Sequence, residues 1–118
     1  MGDSIAKRYA NALFDIANVE KKLIEYQQAY KLLTELFHED EKILSVLSSE
    51  FLSLSDKEKI IDELTKPFEL INFSNFLKLI MSKHRMNQFY RIQYEFNLLV
   101  NVVLGIVFIL GGLAFVVT

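Results

Sequence analysis

The sequence predicts an all-α protein, a six-helix bundle followed by an apolar C-terminal tail. Apolar residues recur at three- and four-residue steps through the first 100 residues, as they do along one face of a helix. The alternation of apolar and polar residues that marks a half-buried strand is absent from this stretch of sequence. Helix start and stop signals divide it into six segments. We therefore expect a helical domain over residues 1–104 and an apolar tail over residues 105–118.

The first helix is predicted around residues 4–18, and it has apolar side chains on two sides. One stripe contains Ile5, Tyr9, Ala12, Leu13 and Ile16, and the other contains Ala6, Ala10, Phe14 and Ala17. Such a helix needs two neighbours. One is the core of its own bundle, and the other is a second helix, from this chain or another, against the strip of small residues. A helix enclosed within a single bundle explains the pattern equally well.

The second and third helices follow from periodicity and charge. Residues 20–37 carry the seam of a helix that packs at a shallow angle on others. This seam contains Leu23, Tyr26, Tyr30, Leu33 and Phe37. The acidic run at residues 39–41 suits the first turn of a short third helix, because carboxylates are favoured at helix N-termini. That helix bears Ile43, Leu44, Val46 and Leu47.

A capping box predicts the start of the fourth helix at Ser55, whose hydroxyl is spaced to meet the N–H of Glu58. This helix should end near Thr65, since Pro67 disfavours helical geometry just before it. The fifth helix then carries one apolar stripe that faces the core. The stripe contains Phe73, Phe76, Leu77, Ile80 and His84. Leu79 points away from it.

The sixth helix begins after a short transition at residues 86–88 and becomes apolar on all sides. Its stripe contains Phe89, Ile92, Phe96, Leu99 and Val103, and no charged residue follows Glu95. The uncharged end is long enough to cross a bilayer as a helix, at about 1.5 Å per residue. Gly111 and Gly112, between two apolar runs, are also typical of a hairpin. We expect the helix to end at about Gly105, with a tail that is membrane-associated or the aberrant end of a truncated chain.

The sequence offers little for catalysis or for cofactors. It has no cysteine, and its two histidines, His38 and His84, lack the spacing of metal ligands. No glycine-rich loop precedes a lysine, so we expect no phosphate site. A net charge of −2 and a pI near 5.7 argue against nucleic acid as a partner. We therefore predict a non-enzymatic protein without metal or cofactor.

Three segments resemble one family in order. They are AKRYANALFDIA, SDKEKIIDEL and NFLKLIMSKHRMNQFYRIQYEF, which together span about residues 5–100. They resemble the delta subunit of bacterial F-type ATP synthase, whose mitochondrial counterpart is the oligomycin sensitivity-conferring protein. The resemblance implies the six-helix N-terminal domain of that family. It also implies a non-catalytic stator subunit, peripheral on the cytoplasmic side of the bacterial cell membrane.

The resemblance further implies a partner. In the family, a groove between the first and fifth helices binds the N-terminal helix of an alpha subunit of the catalytic head. By motif position, Tyr9 and Leu79 belong to this groove, with Ala6, Ala10 and Leu13 as further candidates. A place in the core suits Tyr9 equally well.

The C-terminal end of this sequence departs from the family. The region that contacts the stalk b subunit is not matched, and the chain ends in NVVLGIVFILGGLAFVVT. Contact with the b subunit is therefore in doubt, and we expect a fragment, a truncated product or a variant tethered in another way. The alternative function is a tail-anchored helical peptide-binding module unrelated to ATP synthase.

Overall fold

The computed structural model describes the backbone of residues 2–117 and the side chains of residues 4–105. Over this range the chain forms six α-helices and no strand, which confirms the all-α prediction. The α-helices are α1 Gly2–Val19, α2 Leu23–Glu39, α3 Glu41–Ser48, α4 Leu54–Thr65, α5 Ile71–Ser82 and α6 Phe89–Val117. Two short 3-10 turns lie at Lys66–Phe68 and Met86–Gln88.

An aromatic cluster holds α2, α5 and α6 together. The Tyr30 ring lies between Phe73 of α5, at 5.7 Å between ring centroids, and Phe89 of α6, at 4.6 Å. Phe37 also contacts Phe89, at 4.9 Å. The Tyr30 hydroxyl donates to the carbonyl of Phe89, so this buried polar group is paired. The core stripe predicted for α2 is confirmed, except that Leu23 is half-buried.

Side-chain caps fix the starts of α3 and α4. Asp40 accepts a hydrogen bond from the N–H of Lys42, which confirms the acidic run as a helix start. The predicted cap of α4 is wrong by two residues. Ser53, not Ser55, accepts from the N–H of Asp56, at 3.1 Å. The sequence places serines at both positions, and the earlier one leaves its own backbone extended, as a capping residue requires.

The prediction that His84 belongs to the core stripe of α5 is also wrong. The helix ends at Ser82, and His84 adopts a left-handed conformation with φ of 59°. The N–H of His84 bonds to the carbonyl of Met81, and that of Arg85 bonds to the carbonyl of Ile80. These two bonds form a Schellman motif, which turns the chain and leaves the His84 side chain 75% exposed.

The sixth helix continues beyond its predicted end. It runs from Phe89 to Val117, so neither the stop near Gly105 nor the hairpin is observed. A glycine inside a helix costs only about 1 kcal/mol relative to alanine, and no proline follows it. Within the described part of the chain, no helix is both long and apolar enough to span a membrane. The side chains of residues 106–118 lie outside the described part, so membrane association of the tail stays a prediction.

Candidate partner-binding groove

Helices α1 and α5 lie side by side in opposite directions. Near the C-terminal end of α1, the side-chain amide of Asn72 donates to the Glu20 carboxylate, at 2.9 Å. Nearer its N-terminal end, the rings of Tyr9 and Phe76 meet edge to face, with their centroids 6.4 Å apart. Because the later residue of α5 contacts the earlier residue of α1, the two helices are antiparallel.

The surface between these helices is apolar. Ile16 lies on the same face of α1 as Tyr9 and Glu20, by helical spacing, and both Tyr9 and Ile16 are half-buried. Phe76 is buried beneath them, and Leu79 follows it by one turn of α5 with 46% of its surface exposed. We call the surface formed by Tyr9, Ile16, Phe76 and Leu79 the α1/α5 groove.

The structure separates the two leucines of α5 as the sequence predicted. Leu77 is 3% exposed and belongs to the core, whereas Leu79 is among the exposed large apolar residues. Tyr9 is half-buried, and its place in the groove stays a prediction. Its ring meets the core residue Phe76 edge to face, and the Arg8 guanidinium lies 5.8 Å from the ring centroid.

The three further candidates are not at the surface. Ala6, Ala10 and Leu13 are 0% exposed, so their side chains offer no contact area to a partner. Helix α1 makes its main packing interface with α6 of the same chain, and Ala10 of the strip of small residues lines a cleft with Leu98 and Leu99 of α6. Small side chains allow this close approach, so the pattern on α1 reflects enclosure in its own bundle.

Glu20 connects three helices at one end of the groove. Besides the bond from Asn72, its carboxylate accepts a hydrogen bond from the Tyr26 hydroxyl of α2, at 2.7 Å. Hydrogen bonds from Asn72 and then Tyr26 lower the pKa of Glu20 below its ordinary value. Burial and the neighbouring carboxylate raise the pKa of Tyr26. Sequence analysis did not predict this contact, because a single sequence does not show which distant residues pair, and Glu20 and Asn72 lie 52 positions apart.

The rest of α5 is tied to α4. The Lys78 ammonium pairs with the Asp62 carboxylate at 2.5 Å, and the Ser74 hydroxyl lies 3.4 Å from the same carboxylate. Lys78 precedes Leu79, and this ion pair holds its charge on the α4 side. Both helices that border the α1/α5 groove are thus tied to a neighbour, the end of α1 to α2 through Glu20 and α5 to α4 through Lys78.

These features define the class of protein, an α-helical bundle with an apolar surface between α1 and α5. Across residues 4–105 there is no group of three or more histidine and carboxylate side chains placed to hold a metal ion. The groove itself contains no titratable pair that would support acid–base chemistry. Its surface suits a helix that buries an apolar face.

Sequence comparison identifies the family. The model for the ATP synthase delta (OSCP) subunit family matches residues 5–110, and the chain therefore belongs to this family. ATP synthase subunit delta of Mycoplasma mobile is 42% identical over 78 residues, which cover 66% of this chain and 43% of that protein. The Caldanaerobacter subterraneus subunit delta is 35% identical over 101 residues, 84% of this chain and 55% of that protein. That of a Geobacillus species is 34% identical over 104 residues, with coverage of 86% and 57%. The chain spans about half the length of these curated relatives.

Proposed function

We propose that this chain is a non-catalytic adaptor in the peripheral stalk of an F-type ATP synthase, and that the α1/α5 groove binds the N-terminal helix of an alpha subunit. The observation that carries the proposal is the exposed Leu79, which lies one turn of α5 beyond Phe76, whose ring meets the half-buried Tyr9 of α1 edge to face. Membership in the delta family favours this function over a module unrelated to ATP synthase. In this role the chain is peripheral on the cytoplasmic side of the bacterial cell membrane.

The contacts of the groove explain how it would hold a helix. An amphipathic helix presents apolar residues at three- and four-residue steps, and these would cover Leu79 and the open face of Tyr9. Burying the exposed half of one leucine contributes about 1 kcal/mol. The bond between Glu20 and Asn72 and the contact between Tyr9 and Phe76 hold the two helices in place beforehand. A preformed site loses less conformational entropy on binding.

The mechanical role follows from the packing. A stator resists the torque that rotation exerts on the head, which requires a stiff bundle and a slow dissociation rate rather than a reactive side chain. The aromatic cluster and the groove contacts supply the stiffness. The proposal concerns contact with the head alone, because the chain covers about half of its relatives.

The binding test is a calorimetric titration of the full chain with a synthetic peptide of the alpha-subunit N-terminus. We expect Leu79→Asp to weaken binding by about 2 kcal/mol or more, because it places a charge in an apolar contact. The matched control is Leu32→Asp on α2, where the leucine is 53% exposed, against 46% for Leu79. It should leave the affinity unchanged.

A second pair of variants checks the assignment of faces. Leu77→Asp should unfold the bundle, because Leu77 is buried, whereas Leu79→Asp should keep the helical circular dichroism of the wild type. Failure of the wild-type chain to bind the peptide at high micromolar concentration would overturn the proposal. Equal weakening by the Leu32 and Leu79 variants would also count against the groove.

A further inference from the structure

A buried lysine without a carboxylate partner lies on α4, away from the α1/α5 groove. Lys57 is 7% exposed, and its ammonium donates to the carbonyl of Ser49, just after α3, at 2.9 Å. This bond joins the two helices, but it uses only one of the three N–H donors of an ammonium. Among the described side chains, no carboxylate lies within ion-pair distance of Lys57. Buried charges are normally paired, so two donors of Lys57 are left for a group from outside the chain.

Lys57 lines two adjoining recesses between the end of α3, the start of α4 and the turn after α5. Their volumes are about 180 Å³ and about 320 Å³, and Met81 of α5 lines both of them. In the smaller recess, Leu47, Met81 and Met86 supply apolar walls, and each of them is at most 3% exposed. Asn87 also lines this recess, and within the described part of the chain its side-chain amide makes no hydrogen bond. The smaller recess, which we call the Lys57 site, therefore combines free N–H donors with apolar walls.

Two exposed side chains, Glu50 and His84, form the rim of the Lys57 site. They line both recesses, and the His84 Nδ1 lies 3.9 Å from the Glu50 carboxylate. The Glu50 side chain is 87% exposed, so water and salt screen its charge, whereas the charge of the buried Lys57 is screened much less. The nearby carboxylate therefore weakens the attraction of the Lys57 site for an anion without cancelling it.

We propose that the Lys57 site binds a small monocarboxylate, whose carboxylate accepts hydrogen bonds from the Lys57 ammonium and whose short carbon chain lies against the apolar walls. At about 30 Å³ for each water-sized group, the site holds roughly six non-hydrogen atoms, the size of butyrate. Phosphate suits the site less well. Some of its oxygens would face apolar walls without a donor, and its second negative charge would lie near Glu50.

Nuclear magnetic resonance titration of the full chain with sodium butyrate tests the proposal, with sodium chloride at the same ionic strength as the reference. We expect the backbone amide signals of Ser49 and Lys57 to shift and to reach half-saturation at about 1–10 mM, because so small a ligand makes few contacts. Lys57→Met should weaken binding by about tenfold or more, because it removes the charged donor at similar volume. The matched control is Lys59→Met, an exposed lysine on the same helix, which should bind butyrate like the wild type.

Two further variants decide the question if Lys57→Met unfolds through loss of its bond to Ser49, because both keep that bond. Glu50→Gln should strengthen butyrate binding by removing a negative charge, and Asn87→Leu should weaken it by removing a donor. A Lys57 that serves only to join α3 and α4 would leave both affinities unchanged.

Leu79→Asp, in the α1/α5 groove, should bind butyrate like the wild type, so a failure of this inference is distinct from a failure of the proposed function. Shifts that stay linear to about 50 mM butyrate, or that sodium chloride reproduces, overturn the inference. Equal affinity of the wild type and a folded Lys57→Met variant overturns it too. Saturation of the same signals by phosphate but not by butyrate also overturns it, because the ligand would then belong to another class.

Discussion

Single buried side chains join the helices of this bundle, and Tyr30 is one of those with no exposed surface. It is 0% exposed, and its hydroxyl donates to the Phe89 carbonyl at the start of α6, at 2.5 Å. Burial raises the pKa of Tyr30 well above its ordinary value, so the phenol remains a neutral donor into the alkaline range. The hydrogen bond is therefore retained at neutral pH and into the alkaline range.

Tyr30→Phe should destabilise the protein by about 1 kcal/mol, because the buried hydrogen bond from the Tyr30 hydroxyl to the Phe89 carbonyl is lost. Urea unfolding at pH 7 and low protein concentration measures the change. The control is Tyr94→Phe, which removes a hydroxyl from a side chain that is 58% exposed and should shift stability by less than about 0.5 kcal/mol. Equal effects of the two variants would mean that the buried hydrogen bond contributes nothing.

Glu20 should make the stability of the bundle depend on pH in the acidic range. Its folded pKa is lowered from 4.5 by hydrogen bonds from Asn72 and then Tyr26. Stabilisation by the carboxylate is therefore fully present above the unfolded pKa and is lost as pH falls through the folded value. Glu20→Gln should flatten the dependence of the unfolding free energy on pH below about pH 5. Glu35→Gln, an exposed carboxylate on α2, is the control. A Glu20→Gln profile with the wild-type slope would contradict the assignment.

At the scale of the elements, two helices are each followed by a residue in the left-handed conformation, and in both cases this residue is not glycine. Lys21 follows α1 with φ of 59°, and His84 follows α5 with the same φ. In both places the paired backbone bonds of a Schellman motif satisfy the last carbonyls of the helix. The hydrogen bonds are retained although a side chain other than glycine is strained in this conformation.

His84→Gly should stabilise the protein by about 0.5–1 kcal/mol, because glycine adopts positive φ without a steric penalty. The lost contact is small, since the His84 side chain is mostly exposed and lies 3.9 Å from the Glu50 carboxylate. Thermal unfolding measures the gain. Lys59→Gly, within α4, should instead destabilise by about 1 kcal/mol. A loss of stability in both variants would show that the His84 contact outweighs the strain.

Periodicity predicted the interiors of the helices better than their ends. Apolar spacing located the buried faces of α2 and α5, because burial of side chains repeats every three or four residues. The cap of α4 and the end of α5 were misplaced. Ser53 and Ser55 suit the cap equally by residue type, and the left-handed turn at His84 carries no glycine to mark it.

At the candidate groove, the sequence predicted which side chain is exposed but not which helices pack against each other. Leu79 was assigned correctly to the surface, because its angle on α5 differs from that of Leu77. The two apolar stripes of α1 did not show which stripe packs on which helix, or whether that helix belongs to the same chain. Only the packing of α6 on α1 shows that Ala6 and Ala10 are enclosed. Which helix packs on a strip of small residues depends on contacts between segments that are distant in the sequence. A single sequence does not show these contacts.

For the whole molecule, the described side chains of α6 pack on the core as far as Leu104. Phe96 and Val100 are 0% exposed, whereas a Cβ atom built on Gly105 meets no heavy atom within 4 Å. Side chains up to Leu104 pack on the core, and the neighbourhood of Gly105 is open. The division into a domain over residues 1–104 and a tail over residues 105–118 therefore remains a specific prediction.

Removing residues 105–118 should leave a monomeric, fully helical bundle that still binds the alpha-subunit peptide with unchanged affinity, because this truncation keeps the core residues Phe96, Val100 and Leu104. Its unfolding free energy should change by less than about 1 kcal/mol, since no side chain known to be buried is lost. Removing residues 96–118 should instead unfold the chain, because burying a phenylalanine and a valine contributes roughly 1.5–3 kcal/mol each and both would be lost. Urea unfolding, circular dichroism and the peptide titration compare the two truncations. If the shorter truncation unfolds or loses binding, residues beyond Gly105 belong to the folded domain and the boundary lies further along α6.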